Sequence, residues 1–152
     1  NYLWITVAVT IVMWIIWNKT KLGKNMFAVG TNQEAAAVSG VNVSKAIILV
    51  FALAGITYGI SGFVESARIA SNSTATGVNY ELDAIAACVI GGVSFMGGIG
   101  KIRGVILGVF LLQIVNAGLV FLEFNPAAQT IVKGAIILFA CAMDMRKYIA
   151  KK

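Results

Sequence analysis

Residues 46–64 read AIILVFALAGITYGISGFV, an uncharged stretch bounded by Lys45 and Glu65. At 1.5 Å per residue a helix of that length covers roughly 28 Å, close to the roughly 30 Å of a bilayer's hydrocarbon core. Outward from it the chain repeats the pattern: Tyr2 to Trp17, Ala84 to Gly98, Val105 to Leu122 and Ile131 to Met145 are also apolar, with charges mainly at the block ends. With 59% hydrophobic and 12% charged residues, a water-soluble fold of 152 residues would leave much apolar surface in water. The expected class is therefore an all-α integral membrane protein with about five transmembrane segments. Gly91, Gly92, Gly97 and Gly98 make the third segment a broken or irregular helix, which is tolerable at membrane depth only where protein or a water-filled path covers it.

The charges give this arrangement a direction. Lys19, Lys21, Lys24 and Lys45 follow the first block, Lys101 and Arg103 the third, and Arg146, Lys147, Lys151 and Lys152 close the chain. Five crossings put all ten on one face, which the positive-inside rule makes cytoplasmic. A re-entrant 84–98 segment would instead send Lys101, Arg103 and the tail outside. Glu65, Arg68, Glu81 and Asp83 fall at the opposite, outer face, where they could meet the basic residues of a soluble partner or simply be solvated.

Composition also removes function classes. No histidine is present, so the usual general base and the commonest metal ligand are missing. Gly59-Ile60-Ser61-Gly62 has the local form of a serine-protease nucleophile, yet the serine lacks its base. Cys88 and Cys141 lie inside apolar blocks, which points to small hydrophobes and to neither a disulfide nor a metal site. The net charge of +6 flanks apolar blocks and does not interleave with aromatics, so membrane topology accounts for it and nucleic acid is not expected. Asn1 is not an initiator methionine and no basic leader precedes Tyr2, so a piece of a longer protein with an upstream half is expected.

Two motifs resemble nucleotide cradles and fail. Before Gly100-Lys101, Phe95 stands where a phosphate loop needs its first glycine, and Ile102 stands where Ser or Thr would ligate magnesium. Gly98-Ile99-Gly100 opens a dinucleotide fingerprint, but Arg103 replaces the third glycine. Close packing or a backbone bend is the commoner use of such glycines. Gly55 with Gly59, and Gly104 with Gly108, are spaced four apart and would let helices approach. Gln113 and Asn116 share a face of the fourth block, where an amide must bond a neighbouring helix or line a wet path. Tyr58 and Ser94 have the same two readings.

The long basic connection carries the most specific local signal. Thr31-Asn32-Gln33-Glu34 fits a capping box, Ala35, Ala36 and Ala37 favour helix, and Ser39-Gly40 ends it. A helix of about eight residues in a cytoplasmic loop suits docking to a partner, although an idle interfacial turn would look alike.

Gly30-Thr31-Asn32-Gln33-Glu34-Ala35-Ala36, followed by Ser39-Gly40-Val41-Asn42-Val43, resembles the coupling loop of ribose- and galactose-type ABC importer permeases. The run from Tyr80 to Phe95, then Gly97-Gly98 and Gly100, is similar to that family's signature, and Lys133 to Ile137 with the tail 144–152 fits its galactose-type subgroup. The resemblance covers Met26 to Lys152 in order. It implies one transmembrane permease domain over 1–152, the C-terminal half of an ABC permease, with a cytoplasmic coupling loop at 30–45 whose Thr31, Asn32, Glu34, Ala35, Ala36, Ser39 and Gly40 meet the motor. It further implies a bacterial inner-membrane location among lipids, a second permease subunit, cytoplasmic ATPase subunits holding ATP and magnesium, and a periplasmic sugar-binding protein. The implied cargo is a monosaccharide of the galactose, methyl-galactoside or glucose kind, with ribose or xylose as alternatives. Under this reading Tyr58, Ser94, Gln113 and Asn116 are candidates for the path, and Glu65, Arg68, Glu81 and Asp83 for contact with the binding protein. Half of a secondary carrier, where broken glycine-rich helices also occur, is the rival outside the family.

Because no complete phosphate cradle is present, the purified chain in detergent should show no ATP hydrolysis above background. A malachite-green phosphate assay checks this, and hydrolysis that persists after contaminating ATPases are removed would bring the enzyme class back.

Overall fold

The computed structural model describes residues 2–149. Seven helices account for the regular structure of these residues: α1 (Tyr2–Lys19), α2 (Lys21–Thr31), α3 (Gln33–Val38), α4 (Val43–Ile69), α5 (Tyr80–Ile90), α6 (Ile102–Phe121) and α7 (Pro126–Ile149). They fall into two compact units, Asn1–Thr76 and Gly77–Lys152. Four helices, α1, α4, α6 and α7, are long and apolar enough to cross a bilayer. Lys151 and Lys152 of the basic tail lie outside the described residues.

In the first unit, α1 and α4 run antiparallel, and the Tyr2 hydroxyl donates to the Ala67 carbonyl at 2.8 Å, joining the start of one to the end of the other. The connection between them holds more structure than expected, since it contains α2 as well as α3. Thr20 makes the bend. Its Oγ1 donates to the Ile16 carbonyl at 2.6 Å and accepts from the Gly23 N–H at 3.2 Å, closing α1 and capping α2 with one side chain. At Gly23 a Cβ would collide with the Trp17 and Ile16 carbonyl oxygens, so only glycine permits this turn. Trp17 and Phe27 meet edge to face at 5.9 Å across the bend.

In the second unit, α5 stops at Ile90, after eleven residues, so the apolar block 84–98 is helical only over its first half. Eleven residues rise roughly 16 Å, about half a hydrocarbon core. The break expected at the glycines is present: Gly92, Gly97 and Gly98 have positive φ, which side-chain-bearing residues rarely adopt. The 91–101 segment does not return along α5. Gly91 lies against Gly104, and the Ser94 N–H donates to the Ile99 carbonyl at 3.0 Å, so the chain reverses at one end and α6 runs back antiparallel to α5.

The seam between α5 and α6 is backbone against backbone. A Cβ at Gly104 would strike the Gly91 carbonyl, and one at Gly108 the Ala87 carbonyl. Ala86, Ala87 and Leu112 form the buried core beside it, with Ile90 and Ile137 packed on. Helix α7 starts at Pro126, five residues before the apolar block, because the Asn125 side chain accepts from the Ala128 N–H at 2.7 Å and Pro126 occupies the first helical position, where its missing N–H costs nothing. Asp83 meets Lys133, and Ser94 meets Asp144, so α5 and α7 run parallel with an offset of 50 residues. The second contact brings the turn bearing Lys101 and Arg103 to the same end of the unit as Arg146.

The two glycine pairs thus differ. Gly104 and Gly108 are filled by α5, whereas a Cβ at Gly55 or Gly59 meets nothing within 4 Å among the described residues. Gly108→Val should lower the stability of the permease by about 1–3 kcal/mol or prevent assembly, while Gly59→Ala should leave it unchanged or raise it by up to about 1 kcal/mol through helix propensity. Thermal unfolding in detergent followed by size-exclusion fluorescence measures both.

Candidate functional site

The expected docking helix exists, with a different start. Helix α3 covers Gln33–Val38, and its N-cap is Asn32, whose side chain accepts from the Ala35 N–H at 2.9 Å. Thr31 ends α2, its hydroxyl donating to the Phe27 carbonyl at 2.8 Å, so the Thr31–Glu34 capping box does not form. Asn is the stronger capping residue, and α2 uses Thr31 before α3 can. Ser39 is the C-cap. Its hydroxyl donates to the Ala35 carbonyl at 2.8 Å, the Gly40 N–H donates to the Ala37 carbonyl, and the Val41 N–H donates to the Ala36 carbonyl. Gly40 at φ 83° takes the left-handed position of that terminus.

What makes this short helix rigid is how it is seated. Ala36 is 4% exposed and packs with Val29 of α2 and Ala46 of α4, with Val41 and Val43 closing the cluster. Ala36 therefore faces the chain's own core, and the surface offered outward is formed by Glu34, Ala35, Ala37 and Val38. Val38 is 90% exposed, the most exposed large apolar side chain on the helix. Sequence reasoning overlooked it, because a single valine beside three alanines looks like more helix interior. Its three-residue offset from Ala35 is the signal that places the two on one face.

The outer-face charges are brought together in a way that spacing did not show. Glu65 and Arg68 pair with each other one turn apart, the guanidinium donating to both carboxylate oxygens at 2.7 and 3.1 Å. Asp83 lies in the first turn of α5 and pairs with Lys133 of α7, Nζ to Oδ1 2.6 Å, with the side chains 32% and 14% exposed. That oxygen is buried and accepts no other hydrogen bond among the described residues. Asp83 is thus engaged inside the unit, and Glu81, in the same turn, is the exposed acid beside it. Lysine within an apolar helix carries a large desolvation cost, which the carboxylate offsets only at this close range.

The four path candidates also separate. Ser94 is buried, and its hydroxyl donates to Asp144 Oδ2 at 2.6 Å while accepting from the Met96 N–H at 3.2 Å; the Phe95 N–H reaches the same Asp144 oxygen at 3.1 Å. Ser94 therefore shapes the glycine turn and fastens it to the last turns of α7. Tyr58 is exposed on α4 and Gln113 on α6. Asn116 is different. Gly104, Gly108 and Leu112 meet α5, and Asn116 follows Leu112 one turn later on α6. The Asn116 Oδ1 is buried with no hydrogen-bond partner among the described residues. Such an orphaned acceptor costs about 1–3 kcal/mol.

No group of three or more His, Cys, Asp or Glu side chains that could hold a metal ion occurs among the described residues. The features are apolar helices long enough to cross a bilayer, a short helix seated on α2 and α4, and a few polar groups held between apolar helices.

Comparison with known proteins agrees with this architecture. The chain is 52% identical over 140 residues to the galactose/methyl galactoside import permease protein MglC of Escherichia coli, covering 92% of this chain and 42% of that protein. It is 49% identical to the protein of the same name from Treponema pallidum, over 97% of this chain and 27% of the relative. The L-arabinose transport system permease protein AraH of Escherichia coli is 41% identical over 99% of this chain and 46% of its own length. The chain spans less than half the length of these relatives. No solved structure gives a significant match. A family model described as "Branched-chain amino acid transport system / permease component" matches residues 2–141. With helices α1 to α6 and most of α7 inside that match, the chain belongs to the family of branched-chain amino acid transport system permease components, a family of membrane transport subunits and not of enzymes.

Proposed function

We propose that the chain is the C-terminal half of the permease subunit of an ATP-driven importer of a monosaccharide, galactose or a methyl galactoside first, in a bacterial cytoplasmic membrane. The observation that carries this reading is the 52% identity, over nearly the whole chain, to a permease named for galactose and methyl galactoside import. The lower identities, 41% to the L-arabinose protein and 40% to the ribose import permease protein RbsC of Escherichia coli, favour a hexose over a pentose. Uptake of labelled galactose, glucose, arabinose and ribose by vesicles holding the intact permease, its ATPase and its binding protein tests it. Uptake driven by an ion gradient without ATP would overturn it in favour of a secondary carrier.

On this reading 1–152 is one transmembrane permease domain and 30–45 its cytoplasmic coupling loop. The chain holds no nucleotide itself; ATP and magnesium belong to separate ATPase subunits, and a second permease copy and a periplasmic sugar-binding protein complete the complex. Motor closure can reach the membrane only through a rigid element. Helix α3 has that rigidity, because Asn32, Ser39 and Gly40 fix its ends and Ala36 fixes it to α2 and α4. Glu34, Ala35 and Val38 form the face that enters the motor, and Thr31 holds the preceding turn. Glu65, Arg68 and Glu81 are proposed as the outer contacts for the binding protein.

Two measurements follow. Single cysteines at Asn42 and Lys101 should label from the cytoplasmic side and one at Ser71 from the outside, by membrane-impermeant maleimide. Labelling of Lys101 from outside would overturn the five-crossing arrangement. Val38→Asp should leave expression and thermal stability unchanged while lowering co-purification of the ATPase at least about tenfold, as loss of a central apolar contact does. Ala36→Glu should instead destabilise the permease itself, because the carboxylate would be forced into the Val29–Ala46 cluster.

A further inference from the structure

The bend between α1 and α2 gathers three cations without a counter-charge. Lys19 ends α1, Lys21 and Lys24 stand at the start of α2, and all three are exposed. Glu34 is the one acidic residue before Glu65, and none of the three lysines forms an ion pair among the described residues. Lys21, Lys24, Ala28 and Thr31 share the exposed face of α2, while Gly23 and Val29 are buried. The backbone that carries the lysines is fixed. Thr20 bonds to both helices, α2 lies against the Ile16 and Trp17 carbonyls at Gly23, and Trp17 meets Phe27 across the bend. Lys19 Nζ lies 5.9 Å from the centre of the Trp14 ring, whose face attracts a cation.

Depth decides the partner. Helix α1 is long and apolar enough to cross a bilayer, so its Lys19 end lies where hydrocarbon gives way to headgroups, near Trp14 and Trp17, aromatic residues that favour that zone. Lys21 and Lys24 follow within about 8 Å of chain at the helical rise, and lysine stems lie along apolar surface while their ammonium groups reach outward. An anionic phospholipid supplies the missing negative charge at that level. Helix α3, whose open face suits a soluble partner, is seated towards the other end of α2, where Ala36 packs on Val29. We propose that Lys19, Lys21 and Lys24 form a binding surface for anionic phospholipid headgroups, which steady α2 and, through Val29 and Ala36, set the position at which α3 is offered. Topology asks only for a count of cations on one side; a headgroup surface asks for a fixed arrangement of them. The lipid surface stands apart from the importer reading above, and its effect on the motor rests on that reading.

The test reconstitutes the full-length permease with its ATPase and binding protein in phosphatidylcholine vesicles with or without roughly one quarter phosphatidylglycerol. Wild type is compared with Lys19→Gln/Lys21→Gln/Lys24→Gln and with Lys19→Arg/Lys21→Arg/Lys24→Arg. Native mass spectrometry counts the phosphatidylglycerol retained by each purified permease, and ATP hydrolysis stimulated by galactose-loaded binding protein is read in each vesicle. Wild type and the arginine variant should retain more phosphatidylglycerol than the glutamine variant, and their stimulated hydrolysis should rise about threefold or more with the anionic lipid, as loss of charged contacts at a membrane surface implies. The glutamine variant should hydrolyse equally in both vesicles. Equal retention by wild type and the glutamine variant would overturn the surface, as would loss of the response in the arginine variant. Inorganic phosphate that reproduces the rise in pure phosphatidylcholine would replace the lipid by a free anion, and weaker co-purification of the ATPase with the glutamine variant in detergent would hand the lysines to the motor; either result overturns the proposal. Should the triple glutamine variant fail to insert, Lys24→Gln alone is read in the same way, and a wild type that retains no phosphatidylglycerol overturns the surface without any variant. Lysine-dependent retention with no stimulated hydrolysis in either vesicle would remove the importer reading and support the lipid surface alone.

Discussion

The second unit depends on carbonyl oxygens of α5 lying where α6 has no side chain. Gly104 and Gly108 leave room for the Gly91 and Ala87 carbonyls, and no larger residue could stand at either place. In a bilayer, helices gain little from hiding apolar surface that lipid would solvate equally well, so close approach and good packing must supply the association. Once α5 and α6 are that close, the antiparallel register is set. The 91–101 turn must then close at one end, and its positive-φ glycines are the means by which eleven residues reverse the chain without a strand or a further helix.

From that register the polar contacts follow. Asp144 can reach Ser94 and the Phe95 N–H only because α7 lies parallel to α5, and the same offset carries Lys133 to Asp83. An unpaired carboxylate or ammonium at these depths would be costly, which makes each pair sensitive to small shifts of one helix against another. Polar clamps at the two ends and a glycine seam between them make α5, its turn, α6 and α7 a natural rigid piece.

The first unit solves a different problem, that of presenting a stiff element outside the apolar region. A six-residue helix has no stability of its own. It persists because Asn32 caps it, Gly40 turns the chain away, and Ala36 is buried by α2 and α4. Small size is what Ala36 contributes, and exposure is what Val38 contributes. The helix is thus fixed on one face and open on the other.

Hydropathy belongs to each residue separately, and so the membrane class, α4 and the long helix α6 were all legible in the sequence. So was the glycine break after α5, because positive φ and tight turns demand a residue without a Cβ. Pairing involves two residues and was not legible. Nothing in the spacing distinguished Gly55 and Gly59, where an added Cβ would meet nothing within 4 Å among the described residues, from Gly104 and Gly108, which hold α5. Thr31 and Asn32 both looked like caps until α2 claimed the first of them. Asp83 looked like an outer-face acid, and Lys133 stood only as part of a family-like run, until the 50-residue offset of two parallel helices set them 2.6 Å apart. The amino-acid sequence by itself determined which segments prefer lipid and where the backbone can bend, because those are local free energies. Which polar groups are satisfied and which are left open was decided only when three helices came together, because a hydrogen bond or an ion pair exists only at short range.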